Sequence, residues 1–161
     1  MRPDQSVQNL GGIGTSSSGY FFDTVTLPAT GTYTLHIDPG TTNTGCATLT
    51  LYDVPPDTTA AVTVGGAPVT VCNTVPGQDI RLTFSGTAGQ VVRLRVTGST
   101  LTNAFVTLVR GTQTVQNIGG FGTSDVTLNA TQPLPATDTY TLFVNPAGTN
   151  TGCATFTLTQ V

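Results

Sequence analysis

The chain has 161 residues, and its 5 basic and 8 acidic side chains, all Arg and Asp, make up only 8% of it and leave a net charge of -3. Ordinary soluble domains carry about 25% charged residues. Five scattered arginines form no basic patch, which argues against nucleic acid or an anionic lipid surface as a partner; no stretch nears the roughly 20 apolar residues of a membrane helix, so no membrane insertion is expected. Lys and Glu are absent while Thr and Val abound, a balance that favours strands over helices.

In chain order the first signal is a repeat. Val7-Gln8-Asn9-Leu10-Gly11-Gly12-Ile13-Gly14-Thr15-Ser16 returns as Val115-Gln116-Asn117-Ile118-Gly119-Gly120-Phe121-Gly122-Thr123-Ser124. Leu27-Pro28-Ala29-Thr30-Gly31-Thr32-Tyr33-Thr34-Leu35 returns as Leu134-Pro135-Ala136-Thr137-Asp138-Thr139-Tyr140-Thr141-Leu142, and Asn43-Thr44-Gly45-Cys46-Ala47-Thr48 as Asn150-Thr151-Gly152-Cys153-Ala154-Thr155. The offset of 107 to 108 residues is a whole domain, far beyond the period of a solenoid. Sliding the copies together sets Met1-Arg2 against Val109-Arg110, so Met1 is expected to lie inside a strand. Nothing in the first copy corresponds to residues from about Asp57 to Leu108.

The expected organisation is therefore about one and a half tandem copies: residues 1–54, the C-terminal half of a first repeat, and 55–161, a complete second one. Asp53-Val54-Pro55-Pro56-Asp57 is the boundary, since paired prolines end strand pairing and stiffen a linker. In the complete copy, short alternating runs between Gly, Pro, Asn and Asp clusters predict strands at 61–64, 69–71, 79–84, 91–96, 104–109, 114–118, 124–128, 139–144 and 153–159. The fold class is all-β, an antiparallel, jelly-roll-like β-sandwich. Alternation turns Tyr140, Leu142 and Val144 inward with Ile80, Leu82, Phe84, Val92, Leu94 and Val96, and turns Arg81, Arg93, Arg95 and Phe143 outward.

Cys46 and Cys153 hold equivalent positions, and Cys72 lies in the part present once. Two cysteines per complete repeat suggest one disulfide per domain and an oxidising compartment. Cys72 with Cys153 is the favoured pair, leaving Cys46 unpaired or intermolecular; Cys46 with Cys72 across the junction is the alternative, and buried free thiols the third reading.

The residues offer little chemistry. His36 is the sole histidine, its counterpart is the outward Phe143, and no nucleophile motif accompanies it, so no catalytic residue is expected. Gly11-Gly12-Ile13-Gly14 and Gly119-Gly120-Phe121-Gly122 lack the Gly-Lys-Ser/Thr ending of a phosphate loop and read as a turn or bulge between strands. Asp38-Pro39-Gly40-Thr41-Thr42-Asn43 and Asn145-Pro146-Ala147-Gly148-Thr149-Asn150 match no calcium-loop spacing and read as turns, so neither metal nor cofactor is expected. Asn129-Ala130-Thr131 matches a glycosylation acceptor by pattern alone. Tyr20, Phe22 and Phe143 are the candidate rings for stacking on a glycan.

Leu27 to Leu35, then Ile37-Asp38-Pro39, then Gly45 to Val54, together with Gln78-Asp79-Ile80-Arg81-Leu82-Thr83-Phe84-Ser85-Gly86-Thr87-Ala88-Gly89-Gln90, resemble a β-sandwich repeat of large secreted bacterial proteins. The likeness is to the tandem modules that accompany YD-repeat proteins and, more distantly, to the bacterial pre-peptidase C-terminal domain. It implies an extracellular, bacterial setting and transfers no catalytic residue.

The function expected is a non-catalytic extracellular structural or adhesive module. It would build a surface fibre or filament by head-to-tail strand complementation, partnered by copies of itself or by adjacent repeats of the same chain. The alternative is a carbohydrate-binding module of a secreted enzyme, with glycans as partners.

Overall fold

The computed structural model describes residues 19–161. Met1-Arg2 and the Gly11-Gly12-Ile13-Gly14 stretch, which the sequence places in a strand and a bulge, lie outside the described residues. The chain divides into unit 1, Met1–Tyr52, and unit 2, Asp53–Val161.

Unit 2 holds nine strands: β1 Thr58–Ala61, β2 Val69–Asn73, β3 Ile80–Gly86, β4 Val92–Thr97, β5 Ala104–Arg110, β6 Gln113–Phe121, β7 Val126–Asn129, β8 Asp138–Pro146 and β9 Gly152–Gln160. Each predicted strand has its counterpart, but the first is displaced, running from Thr58 and not from Ala61. The reason lies in its partner. β1 is an edge strand lying parallel to β3, with Thr58 opposite Ile80, so its register is set by β3 and not by its own Thr-Thr-Ala-Ala sequence, which has no apolar alternation. Val62 then leaves the ladder to enter the core, and a turn closes from Gly66 N–H to the Thr63 carbonyl at 2.9 Å.

The sheets have the orders β1-β3-β8-β5-β6 and β2-β9-β4-β7. Apart from β1 this is a jelly roll: a long hairpin whose two arms, β2 to β5 and β6 to β9, pair antiparallel as β2·β9, β3·β8, β4·β7 and β5·β6 and then wrap into two facing sheets. The hairpin reverses at Gly111-Thr112, where Gly111 takes a φ of 57°, a left-handed backbone that glycine adopts without steric cost. The Gly-rich stretch of β6 sits at a bulge as expected: Val106 faces Gly119 and Thr107 faces Asn117, so Ile118 is the extra residue.

Period-two alternation sends Ile80, Leu82, Phe84, Val92, Leu94, Val96, Val106, Leu108, Leu142, Val144, Phe156 and Leu158 into one core between the sheets. Tyr140 is fully buried there; its hydroxyl donates to the Ala136 carbonyl at 2.7 Å and accepts from the Ala136 N–H at 3.2 Å, while its ring stacks on Phe84 at 5.7 Å. Gly86 ends β3 beneath that ring. A Cβ there would stand 2.9 Å from Tyr140 and closer still to Leu134, so only glycine fits.

Two substitutions test this corner. Tyr140→Phe keeps the packing but removes the partner of both polar groups of half-buried Ala136, and should lower the unfolding free energy by about 0.5–1.5 kcal/mol in urea melts. Gly86→Ala should cost about 1–3 kcal/mol through overpacking, read as a lower urea midpoint with an unchanged m-value.

Candidate functional site

The described residues contain no group of three or more His, Cys, Asp or Glu close enough to share a metal ion. No helix among them is long and apolar enough to cross a membrane. His36 is exposed. A hollow of about 280 Å³ along the β1 edge is lined by Ala61, Val62, Thr63, Val64, Thr83 and Phe84, among others, and presents no titratable side chain.

The most feature-rich surface is the outer face of the five-stranded sheet. Antiparallel register lines up Arg81, Phe143 and Thr107 across β3, β8 and β5, with Phe105 and Asn145 one step along. Arg81 lies with its guanidinium 4.6 Å from the centroid of Phe143 and donates to Asp57 at 2.6 Å. One face of Phe143 is thus capped by a cation, an arrangement that orders the ring. Thr107 Oγ donates to Asn117 Oδ1 at 3.2 Å.

Phe105 stands 54% exposed beside this row, and Gly120 opposite it leaves the ring edge bare, since a Cβ on Gly120 would meet Phe105 at 3.4 Å. The sequence reading passed over Phe105, although alternation in Ala104-Phe105-Val106 already marks it as outward. Of the three rings singled out from sequence, Phe143 lies on this sheet face, while Tyr20 and Phe22, 49% and 40% exposed, belong to unit 1.

A second cluster occupies the end of the sandwich where β1 begins, and it is structural. Buried Asn73 donates to the carbonyls of Gln78 at 3.2 Å and Asn150 at 3.0 Å, and accepts from the Gly152 N–H at 3.0 Å. Gln78 accepts from the Thr74 N–H at 2.9 Å and donates to the Pro56 carbonyl at 2.9 Å, so the linker is tied to the domain by a buried side chain. Next to this knot Cys72 and Cys153, directly opposed on β2 and β9, form a disulfide, and Cys46 is free and exposed. Three of the four arginines of unit 2 are in ion pairs, Arg81 with Asp57, Arg95 with Asp125 at 3.8 Å and Arg110 with Asp138 at 3.9 Å, and the fourth, Arg93, donates to Asn129 Oδ1 at 2.8 Å.

With this architecture in view, comparison places the chain in a fold class. It is similar to the crystal structure of the pre-peptidase C-terminal domain of collagenase from Bacillus anthracis, with a TM-score of 0.51 and 10% identity over 66% of this chain and 99% of that one. It is also similar to PliG of Aeromonas hydrophila, a periplasmic lysozyme inhibitor of g-type lysozyme, at a TM-score of 0.42 and 21% identity over 65% of this chain and 99% of that one. No protein-family model and no curated protein matches the chain. The first likeness supports the β-sandwich and the distant resemblance to the pre-peptidase C-terminal domain at the level of fold; the second is too weak to build on.

Opening the disulfide is the sharpest perturbation of this region. It closes a sequence separation of 81 residues, and the chain-entropy relation for such a loop gives about 4.5 kcal/mol. The Cys72→Ser/Cys153→Ser variant, made in a Cys46→Ser background to prevent exchange, should lose about that much in urea titrations relative to the background alone.

Proposed function

We propose that the chain is a non-catalytic structural repeat of an extracellular or cell-envelope protein, acting as a spacer in a surface stalk or fibre. The carrying observation is the path of the chain through unit 2. It comes in beside the start of β3, where Thr58 N–H bonds the Asp79 carbonyl and Gln78 holds Pro56. It leaves beyond the end of β3, where Val161 N–H bonds the Val91 carbonyl. The seven residues of β3 separate these two points, on the order of 20 Å. A unit entered and left at opposite ends of β3 can lengthen an array of repeats.

The disulfide clamps the last strand to β2 and suits an oxidising compartment. Among the described residues the arginines of unit 2 are engaged by Asp or Asn side chains, and the hollow along β1 presents no titratable side chain, which supports a non-catalytic reading.

One observation favours a second reading. Phe105, exposed beside Phe143 and the amides of Asn117 and Asn145, has the make-up of a flat glycan platform, an apolar ring flanked by hydrogen-bonding groups.

Pulling the full chain by its two ends tests the clamp on which the spacer reading draws, and a glycan array separates the two readings. The disulfide removes the segment between Cys72 and Cys153 from the releasable length, so unfolding unit 2 without reductant should extend it by roughly a quarter of its full contour, and by the whole contour once reduced. A glycan array on the same protein should be blank. Binding that disappears in Phe105→Ala or Phe143→Ala would replace the spacer reading with the glycan one.

A further inference from the structure

Unit 1 repeats the sequence of β6 to β9, and in unit 2 those four strands make no ladder with one another. β6 pairs with β5, β7 with β4, β8 with β3 and β5, and β9 with β2 and β4. A segment of this pattern finds its hydrogen-bond partners and its facing core in a segment like 58–110 or nowhere. Accordingly, residues 19–52 form no strand. Their apolar side chains stand open where the counterparts are core: Leu27 is 61% exposed against 2% for Leu134, Leu35 58% against 0% for Leu142, Ile37 44% against 0% for Val144, and Leu51 85% against 1% for Leu158.

What unit 1 does retain is what such a segment makes with itself. Tyr33 OH donates to the Ala29 carbonyl at 2.7 Å, as Tyr140 does to Ala136. Asn43 N–H bonds the Gly40 carbonyl at 3.0 Å, as Asn150 bonds Ala147 at 3.3 Å, and Thr41 takes the left-handed φ of 47° that Gly148 has at 62°. The turns are set for the same sandwich, and the ladders await their partner.

Counting decides where the partner comes from. Each chain holds one segment of the β1–β5 kind, already engaged by its own β6 to β9, and two of the β6–β9 kind. Any assembly of copies of these 161 residues, swapped or not, leaves one half per chain uncovered. Exposed apolar rows of this extent are an aggregation hazard that natural folds cover.

We propose that unit 1 is completed by a five-stranded half-repeat patterned like residues 58–110, carried by a neighbouring repeat of the same polypeptide, and that Cys46 pairs with the cysteine of that half at the place Cys72 holds in unit 2. The inference rests on reading the chain as part of a structural repeat array. It replaces self-association by an intrachain partner. An intrachain source suits the topology, because β5 runs into β6 through a two-residue turn, and interleaving nine strands is far easier at the effective concentration of a covalent link.

The test fuses a second copy of residues 55–108 directly ahead of Met1 of the full chain. The fusion should remain monomeric. Amides of 31–51 should slow in hydrogen exchange by at least 100-fold, approaching their counterparts at 138–158. Without reductant, Cys46 should resist iodoacetamide and map by mass spectrometry to the added cysteine. A fusion carrying Ser at that added position should keep the slow amides while Cys46 reacts, which separates folding from pairing.

Fast exchange at 31–51 in the fusion while unit 2 stays protected would overturn the proposal. So would the unmodified chain protecting those amides by itself, as monomer or filament. Neither result bears on the spacer reading, which is decided by the pulling and glycan measurements on the unmodified chain.

Discussion

With the exception of the short parallel pairing of β1 with β3, every ladder of the complete unit joins a strand of 58–110 to a strand of 113–160. The rest of the architecture follows from that interleaving. Neither half can build a sheet of consequence by itself, so the core, the disulfide and the polar knot around Asn73 all form between halves. Most contacts are distant in sequence, a topology in which loop-closure entropy is met before any ladder rewards it. The Cys72–Cys153 bond acts on this weakness, since it holds β9 against β2 and restricts the unfolded chain.

The same constraint gives unit 1 its character. Its exposed Leu27, Leu35 and Leu51 stand at the sequence positions that Leu134, Leu142 and Leu158 hold in the core of unit 2. The Tyr33 and Asn43 bonds persist because they close within four residues, whereas strand pairing requires chain from elsewhere.

The outer surface is quiet in charge. Ion pairs between exposed Arg and Asp contribute about 0–1 kcal/mol each, and they leave no cluster of unpaired arginines in unit 2 to attract a polyanion. The Asp57–Arg81–Phe143 stack is of a different kind, because it ties the linker to the sheet face and holds an aromatic ring in place. Together with Gln78 on Pro56 it ties the segment ahead of β1 to the body of unit 2.

Much of this was readable from the residues. Alternation around Tyr140, Leu82 and Leu94 set the inward rows, because a pleat has a period of two whatever the sheet order, and Gly119-Gly120 announced a bulge. The repeat itself is a matter of sequence, as is the equivalence of Cys46 with Cys153. The first strand was misplaced because its position is imposed by β3 and not by its own side chains. Phe105 was legible from alternation, but its exposure depends on Gly120 lying across from it, which only the register of β5 with β6 supplies. Sequence determined where most strands of unit 2 fall and which way their side chains face, because alternation is a local property of a pleated chain. Tertiary structure decided that strands distant in sequence interleave, that Arg81 covers Phe143, and that the leucines of unit 1 lack their partners, because each depends on which strand becomes the neighbour of which.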